Sequence, residues 1–421
     1  MNKNIVLIKE IILRNKKIIE NYFFMTLLIF LNATFSLLLY PYLIRTLGAS
    51  SYGIYIFITT VVNYFIVFIS FGFDLLGTRK IALHKDSIEQ KSDIVSSIFS
   101  VKIALFLFSS IIAVCIYLVS PLLQNHKWIY ITCFLNTLTN ILFPIWYFQG
   151  IQKMKVVTLT QLIFKLLTLP FIFYFIKKPN DLLLFSTITN LSILFSSIFA
   201  FAYLIIVEKI SLKIVSLKKM RDYIKEAFYF FSSIFLTALH SYTLNLIIGL
   251  RWGMSDLAVY DLATKIVQIP TMLVASINDA LFPRMVANFN VQSLKKIIKI
   301  ERIIGIIVIA LIIALGKLAV NLLGSESMYM AYPIAIILSF RLYATLQVAC
   351  YTSLTLIPNH LDSYILKDLL IVTLELFICL AIGFALSNSI FIIPISMTLI
   401  VFFEIVYLKY ITNKKVFSKI I

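Results

Sequence analysis

Acidic residues are scarce in this chain of 421 residues: 19 Asp and Glu stand against 37 Lys and Arg, and charged residues of both signs make up only 13%. A soluble domain carries about 25% charged and about 45–50% apolar residues. Here 61% is hydrophobic and the mean hydropathy is +0.98. No globular core could hide that much apolar surface, so the solvent must be lipid. That excludes a soluble enzyme and a disordered chain. Cysteine is sparse as well. Cys115, Cys133, Cys350 and Cys379 all lie in apolar stretches, without CxxC or metal-ligand spacing. They read as apolar filler, and a disulfide scaffold is excluded. Walker A, Rossmann and nucleophile-elbow patterns are missing too. No catalytic residue, metal or cofactor is therefore expected. Energy would have to come from ion gradients, the membrane potential or consumption of product.

What is present is a series of long apolar runs. A membrane-spanning helix needs about 20 mostly apolar residues. Twelve such spans are read at 21–41, 52–74, 94–119, 128–149, 156–176, 182–207, 227–250, 257–282, 303–323, 332–357, 365–386 and 390–412. β-barrel strands would show short alternating segments instead. The basic start, Met1 to Lys17, reads as a retained terminus rather than a cleavable signal, because the apolar run after it is long and ends at no small-residue cleavage site.

The net charge of +18 is distributed unevenly along the chain. In a soluble protein it would raise the question of nucleic acid. Here the positives sit mostly in loops, which points to a membrane surface and to no nucleic-acid partner. With the N-terminus inside, the inner loops and tails hold 27 Lys and Arg and the outer ones hold six. The positive-inside rule then places both termini in the cytoplasm. The outer loops are short throughout, which counts against a receptor and against a membrane enzyme with its chemistry outside.

The longest inner connection, 208–226, divides the chain into an N-terminal lobe at 1–207 and a C-terminal lobe at 227–421. A shift of 205 residues aligns the two around their second spans. Gly48 meets Gly253, Ser50 meets Ser255, Tyr55 meets Tyr260 and Thr59 meets Thr264. Asp74 meets Asp279, and Arg79 meets Arg284. Ungapped Gly, Asp and Arg matches are rare in a chain with 11 Gly and 8 Arg. Six spans per half give both repeats the same sense, as in transporters with parallel repeats. The expected fold is therefore an all-α membrane protein of two six-helix lobes, with a cavity between them and alternating access by rocking.

Charges in the bilayer cost about 2.5–3.5 kcal/mol each on insertion scales, so they are candidates for function. Lys165, Lys265 and Arg341 sit mid-span, with Asp261 four residues before Lys265 on one helical face. They suggest a net-cationic, water-filled cavity for an anionic head group. The alternative is scattered helix–helix contact. Asp74–Arg79 and Asp279–Arg284 read as cytoplasmic gate pairs or as ion pairs that fix helix ends. His240, Asn245, Asn32, Asn63 and Glu375 are read as coupling or polar cavity groups, or as interhelical hydrogen-bonding groups. Lys102 is close enough to the inner interface to snorkel.

The segment Pro41-Tyr-Leu-Ile-Arg45-Thr-Leu-Gly48-Ala-Ser-Ser-Tyr52-Gly53 resembles the P-x-L-x-R-x-L-G-x-x-x-Y-G signature of Wzx-type polysaccharide flippases. Phe71-Gly72-Phe73-Asp74 with Arg79 resembles its continuation. Phe143-Pro144 through Gln149-Gly150 and Ala280 through Arg284 are similar to that family's fourth- and eighth-span endings. The resemblance implies the MOP (multidrug/oligosaccharidyl-lipid/polysaccharide exporter) fold in a bacterial inner membrane. It implies transfer of undecaprenyl-pyrophosphate-linked oligosaccharide, an O-antigen or capsule repeat unit, from inner to outer leaflet. It also implies membrane lipid, a pathway polymerase and chain-length proteins as partners. Lys265, Asp261 and Arg341 would take the family's cavity roles. The lipid II flippases of that superfamily have two more helices. A small-molecule cation antiporter of the same fold would want an acidic cavity, and a membrane glycosyltransferase or polymerase would want a large outer loop or an aspartate-rich motif.

Overall fold

A computed structural model describes residues 16–287, 289–359, 361–416 and 418. They form helices and connecting turns, with no strand among them. Ten helices are long and apolar enough to cross a membrane. The first, Phe23–Leu83, contains two of the expected spans in one run. Met254–Ala287 is a further helix of 34 residues. The arrangement is consistent with a twelve-segment layout, and the all-helical membrane fold is as the sequence implies.

The chain forms two compact units. One comprises 1–39 and 54–238, the other 40–53 and 239–421. The first has a core in which Phe71 stacks on Phe231 with ring centroids 4.2 Å apart. Phe73–Leu83 packs against Ile145–Gly150 through small residues. A Cβ at Gly77 would come within 2.5 Å of Trp146, and one at Gly150 within 2.7 Å of Ile81. The 208–226 connection is fastened to this unit. Lys153 pairs with Glu208 at 2.7 Å, Lys219 with Asp93 at 2.5 Å and Lys80 with Glu226 at 2.7 Å. The backbone N–H groups of Ser211 and Lys213 donate to the hydroxyls of Ser92 and Ser96.

The second unit contains the signature segment, and its residues have local structural tasks. Arg45 donates to the Leu322 carbonyl at 3.1 Å. Tyr52 meets Tyr40 edge-on at 5.3 Å, and Tyr40 donates to the Ala258 carbonyl at 3.3 Å. Gly48 kinks Lys16–Ser70 with φ 80° and ψ 159°, a region open essentially to glycine alone. Gly253, its partner in the repeat, has φ 104°. Gly53 allows a close backbone approach, since a Cβ there would lie 1.8 Å from the Met254 carbonyl oxygen.

Those contacts predict a graded response to alanine. Gly48→Ala and Gly253→Ala each force a side chain into positive φ, at about 1–3 kcal/mol. Gly53→Ala collides with backbone, which has no rotamer to yield. Its thermal unfolding midpoint in detergent should fall the most of the three. A Gly53→Ala midpoint equal to wild type would show that Met254 moves freely.

Candidate functional site

In the second unit, three helices turn polar side chains toward one cavity of about 390 Å³. Each does so with helical spacing. Ser241 and Asn245 are four apart on Leu217–Arg251, Thr264, Gln268 and Thr271 recur on Met254–Ala287, and Arg341 and Thr345 are four apart on Ala331–Tyr351. Residues three or four apart share a helical face. Thr264, Thr271 and Thr345 each donate their hydroxyl proton to a carbonyl of their own helix. Their oxygen lone pairs are thereby left for the cavity.

Arg341 differs from the other intramembrane cations. Among the described residues its guanidinium makes no ion pair and no hydrogen bond, and its Nε is sealed and unpartnered. Glu404 lies within electrostatic reach. A guanidinium is a rigid planar donor fork, matched to carboxylate or phosphate. With Glu404 close but no group bonded to it among the described residues, that fork is left open to an anionic ligand.

Lys265 is balanced instead. Its Nζ lies 3.0 and 2.9 Å from the two oxygens of Asp261 and 5.2 Å from the centre of the Tyr40 ring. Neither Asp261 nor Lys265 lines either of the two cavities. His240 meets the Thr373 hydroxyl at 2.7 Å. Glu375 has one sealed, unpartnered oxygen. Nearby, Asp368 is 2% exposed and lies within electrostatic reach of Glu404. The sequence reading passed over Asp368 because it stands beside Lys367 at the start of the span at 365–386.

In the first unit, Lys165 and Asn32 meet across a second cavity, of about 300 Å³. Asn63 is half-buried and lines neither cavity. Lys165 and Arg341 thus occupy cavities of different units, and Asp261–Lys265 stands apart from both. Asp74 pairs with Lys102 at 3.5 Å, while Arg79 is exposed. Five residues apart, Asp74 and Arg79 point to different sides of their helix. The side chains of Asp279 and Arg284 lie outside the described residues.

Lys102 corrects the expectation of snorkelling. It is 2% exposed, and its Nζ donates to the backbone carbonyl of Asn140 at 3.2 Å and to its Oδ1 at 3.1 Å. The cause is four residues on. Pro144 has no N–H, so the Asn140 carbonyl loses its helical donor, and Lys102 takes that place. The paired arrangement Pro144 and Lys102 was legible only with the two helices side by side. Replacing Lys102 with Leu would orphan that carbonyl, at about 1–3 kcal/mol. The unfolding midpoint in detergent should fall, and an unchanged midpoint would mean that Asn140 finds another donor.

Comparison with known proteins agrees with this architecture. A family model described as "Polysaccharide biosynthesis protein" matches residues 18–289, well over half of the chain. A protein of Escherichia coli (strain K12) named "Putative O-antigen transporter" is 29% identical over 272 residues, covering 64% of this chain. The match spans 65% of that relative's length. A protein of Shigella dysenteriae with the same name is 26% identical over 303 residues, covering 70% of this chain and 75% of its own. The fold is also that of a multidrug resistance MATE family transporter of the MOP superfamily. Its inward-facing structure gives a TM-score of 0.68 at 14% identity over 91% of this chain and 98% of that one. The outward-facing structure gives 0.59 at 13% identity, over 95% and 96%. The Wzx-type resemblance carried by Pro41–Gly53 and the later motifs is upheld by these matches: built on the MOP-superfamily fold, the chain belongs to the polysaccharide biosynthesis protein family.

Proposed function

We propose that this chain is a flippase for undecaprenyl-pyrophosphate-linked oligosaccharide, moving O-antigen or capsule repeat units from the inner to the outer leaflet of the bacterial cytoplasmic membrane by alternating access. The observation that carries the reading is Arg341: a guanidinium without a fixed partner, facing a polar cavity inside a helical membrane unit. A pyrophosphate supplies the negative charge and the paired oxygens that such a fork accepts. The family and the two named relatives support the same substrate class. Lys165 adds a second cation in the other unit. On this reading the chain is a transporter and not an enzyme, and the repeat-unit polymerase and chain-length proteins act on its product. The Lys and Arg bias of the loops supports a cytoplasmic location for both termini.

The Asp368–Glu404 pair with Glu375 favours a second reading, a cation-coupled small-molecule exporter of the same fold. A drug-susceptibility panel separates the two.

The deciding experiment uses a strain lacking the gene, complemented with wild type, Arg341→Gln or Lys165→Met, with protein level controlled by immunoblot. Surface polymer should disappear with Arg341→Gln and fall at least tenfold with Lys165→Met, while complete repeat units accumulate on the inner leaflet. Normal surface glycan from both variants at wild-type protein level would sink the cationic-cavity model. A fluorescent protein fused to the C-terminus should fluoresce, as it does only when folded in the cytoplasm. A dark fusion at full length would reverse the orientation.

A further inference from the structure

The cavity of the first unit has a donor pattern that the pyrophosphate reading does not use. Six polar residues come to it in pairs four apart, each pair on one helix: Asn136 and Asn140, Gln161 and Lys165, Ser192 and Ser196. In a chain this apolar, such pairs put hydrogen-bonding groups on one helical face.

The amide orientations follow from their partners. The Oδ1 of Asn32 accepts from Lys165, and an ammonium can only donate. The Oδ1 of Asn140 accepts from Lys102 at 3.1 Å and from Ser70 at 3.0 Å. The Oδ1 of Asn136 lies 3.0 Å from the Thr139 hydroxyl, whose single proton is closer to the Asn136 backbone carbonyl, at 2.6 Å. The carbonyl oxygens of Asn32 and Asn140 are therefore spoken for. The NH₂ groups opposite them have no acceptor among the described residues, and none of them is sealed from open space. Gln161 makes no hydrogen bond among the described residues, and neither does the hydroxyl of Ser196, although that residue is 3% exposed. Phe143 and Phe164 complete the wall with apolar rings.

Several neutral donors, one cation and two aromatic rings make an unusual combination. A di-anion alone would be better held by clustered guanidinium and ammonium groups. Neutral amide NH₂ groups suit hydroxyl, ring and acyl oxygens, and a sugar ring presents these at its edge and C–H groups on its faces. We propose that the first-unit cavity is a glycan subsite, in which the NH₂ groups of Asn32, Asn140 and Gln161 hold the acceptor-rich edge of a sugar of the cargo. This assignment rests on the flippase reading above and deepens it: the second unit takes charge, and the first reads carbohydrate.

The test uses the purified full-length protein in detergent and two probes: undecaprenyl pyrophosphate, and the same lipid bearing the complete repeat unit extracted from the native strain. Dissociation constants for both are measured by thermophoresis. The readout is their ratio, which isolates what the glycan adds. Gln161→Leu removes a side chain with no internal partner, and Asn32→Asp keeps the acceptor for Lys165 while removing the NH₂ donor. Both therefore leave the fold's own bonds in place, as an unshifted unfolding midpoint would verify.

Wild type should bind the glycosylated lipid at least tenfold more tightly, and each variant should reduce that advantage about twofold to tenfold, the span of one neutral hydrogen bond. A wild-type ratio near one, or an unchanged ratio in both variants, overturns the glycan subsite and leaves the flippase reading standing. Equal weakening of both probes in the variants also leaves the ratio unchanged, and it reassigns the cavity to the pyrophosphate. A wild type that binds neither probe overturns the flippase reading itself, and this assignment with it.

Discussion

A polar group held inside a bilayer must find its partner inside the protein, because hydrocarbon offers none. That constraint governs almost every polar contact described above. Lys102 donates to a carbonyl that Pro144 leaves without its helical bond. Asp261 balances Lys265 one turn away. Threonines on the spans donate back to their own helices. His240 meets Thr373. Against this background of satisfied groups, an unsatisfied one is informative. Glu375 and Asp368 each keep a sealed oxygen without a partner, whereas Arg341 and the NH₂ groups of the first unit belong to residues that line cavities.

The cavities of the two units differ in chemistry. In the second unit the cavity combines a guanidinium with threonine oxygens and the Gln268 side chain. In the first unit the amide oxygens of Asn32 and Asn140 are occupied by internal donors, leaving neutral N–H groups beside Lys165. An internal repeat therefore need not mean a repeated chemistry. What the repeat shares is backbone: Gly48 and Gly253 both sit at positive φ. What diverges is the side-chain surface built on it.

The signature segment illustrates the same separation of scaffold from site. Arg45, Gly48, Tyr52 and Gly53 form local contacts within the second unit, a carbonyl cap, a kink, a ring pair and a close backbone approach. None of them lines either cavity. Such a motif reports the fold and says little about the cargo. On the glycan-subsite proposal, specificity rests with residues such as Gln161 and Asn140, which belong to no motif.

Composition and periodicity alone determined that this chain is an all-helical membrane protein, because apolar runs of span length admit little else in lipid. The 205-residue repeat and the signature residues were likewise legible, being matters of order along the chain. Span chemistry also marked Lys165 and Arg341 as unusual, since a charge in hydrocarbon is costly wherever it points. What the sequence could not supply was pairing. Whether a buried charge is spent or free depends on what a distant helix places within about 3 Å. The Asp261–Lys265 pair, four residues apart on one helix, was legible in the sequence; only the tertiary structure decided that Asp74 turns to Lys102 rather than Arg79, and that Arg341 makes no hydrogen bond among the described residues. Amide orientation was equally hidden: Asn140 becomes a donor to the cavity because Ser70 and Lys102, 70 and 38 residues away in sequence, occupy its oxygen.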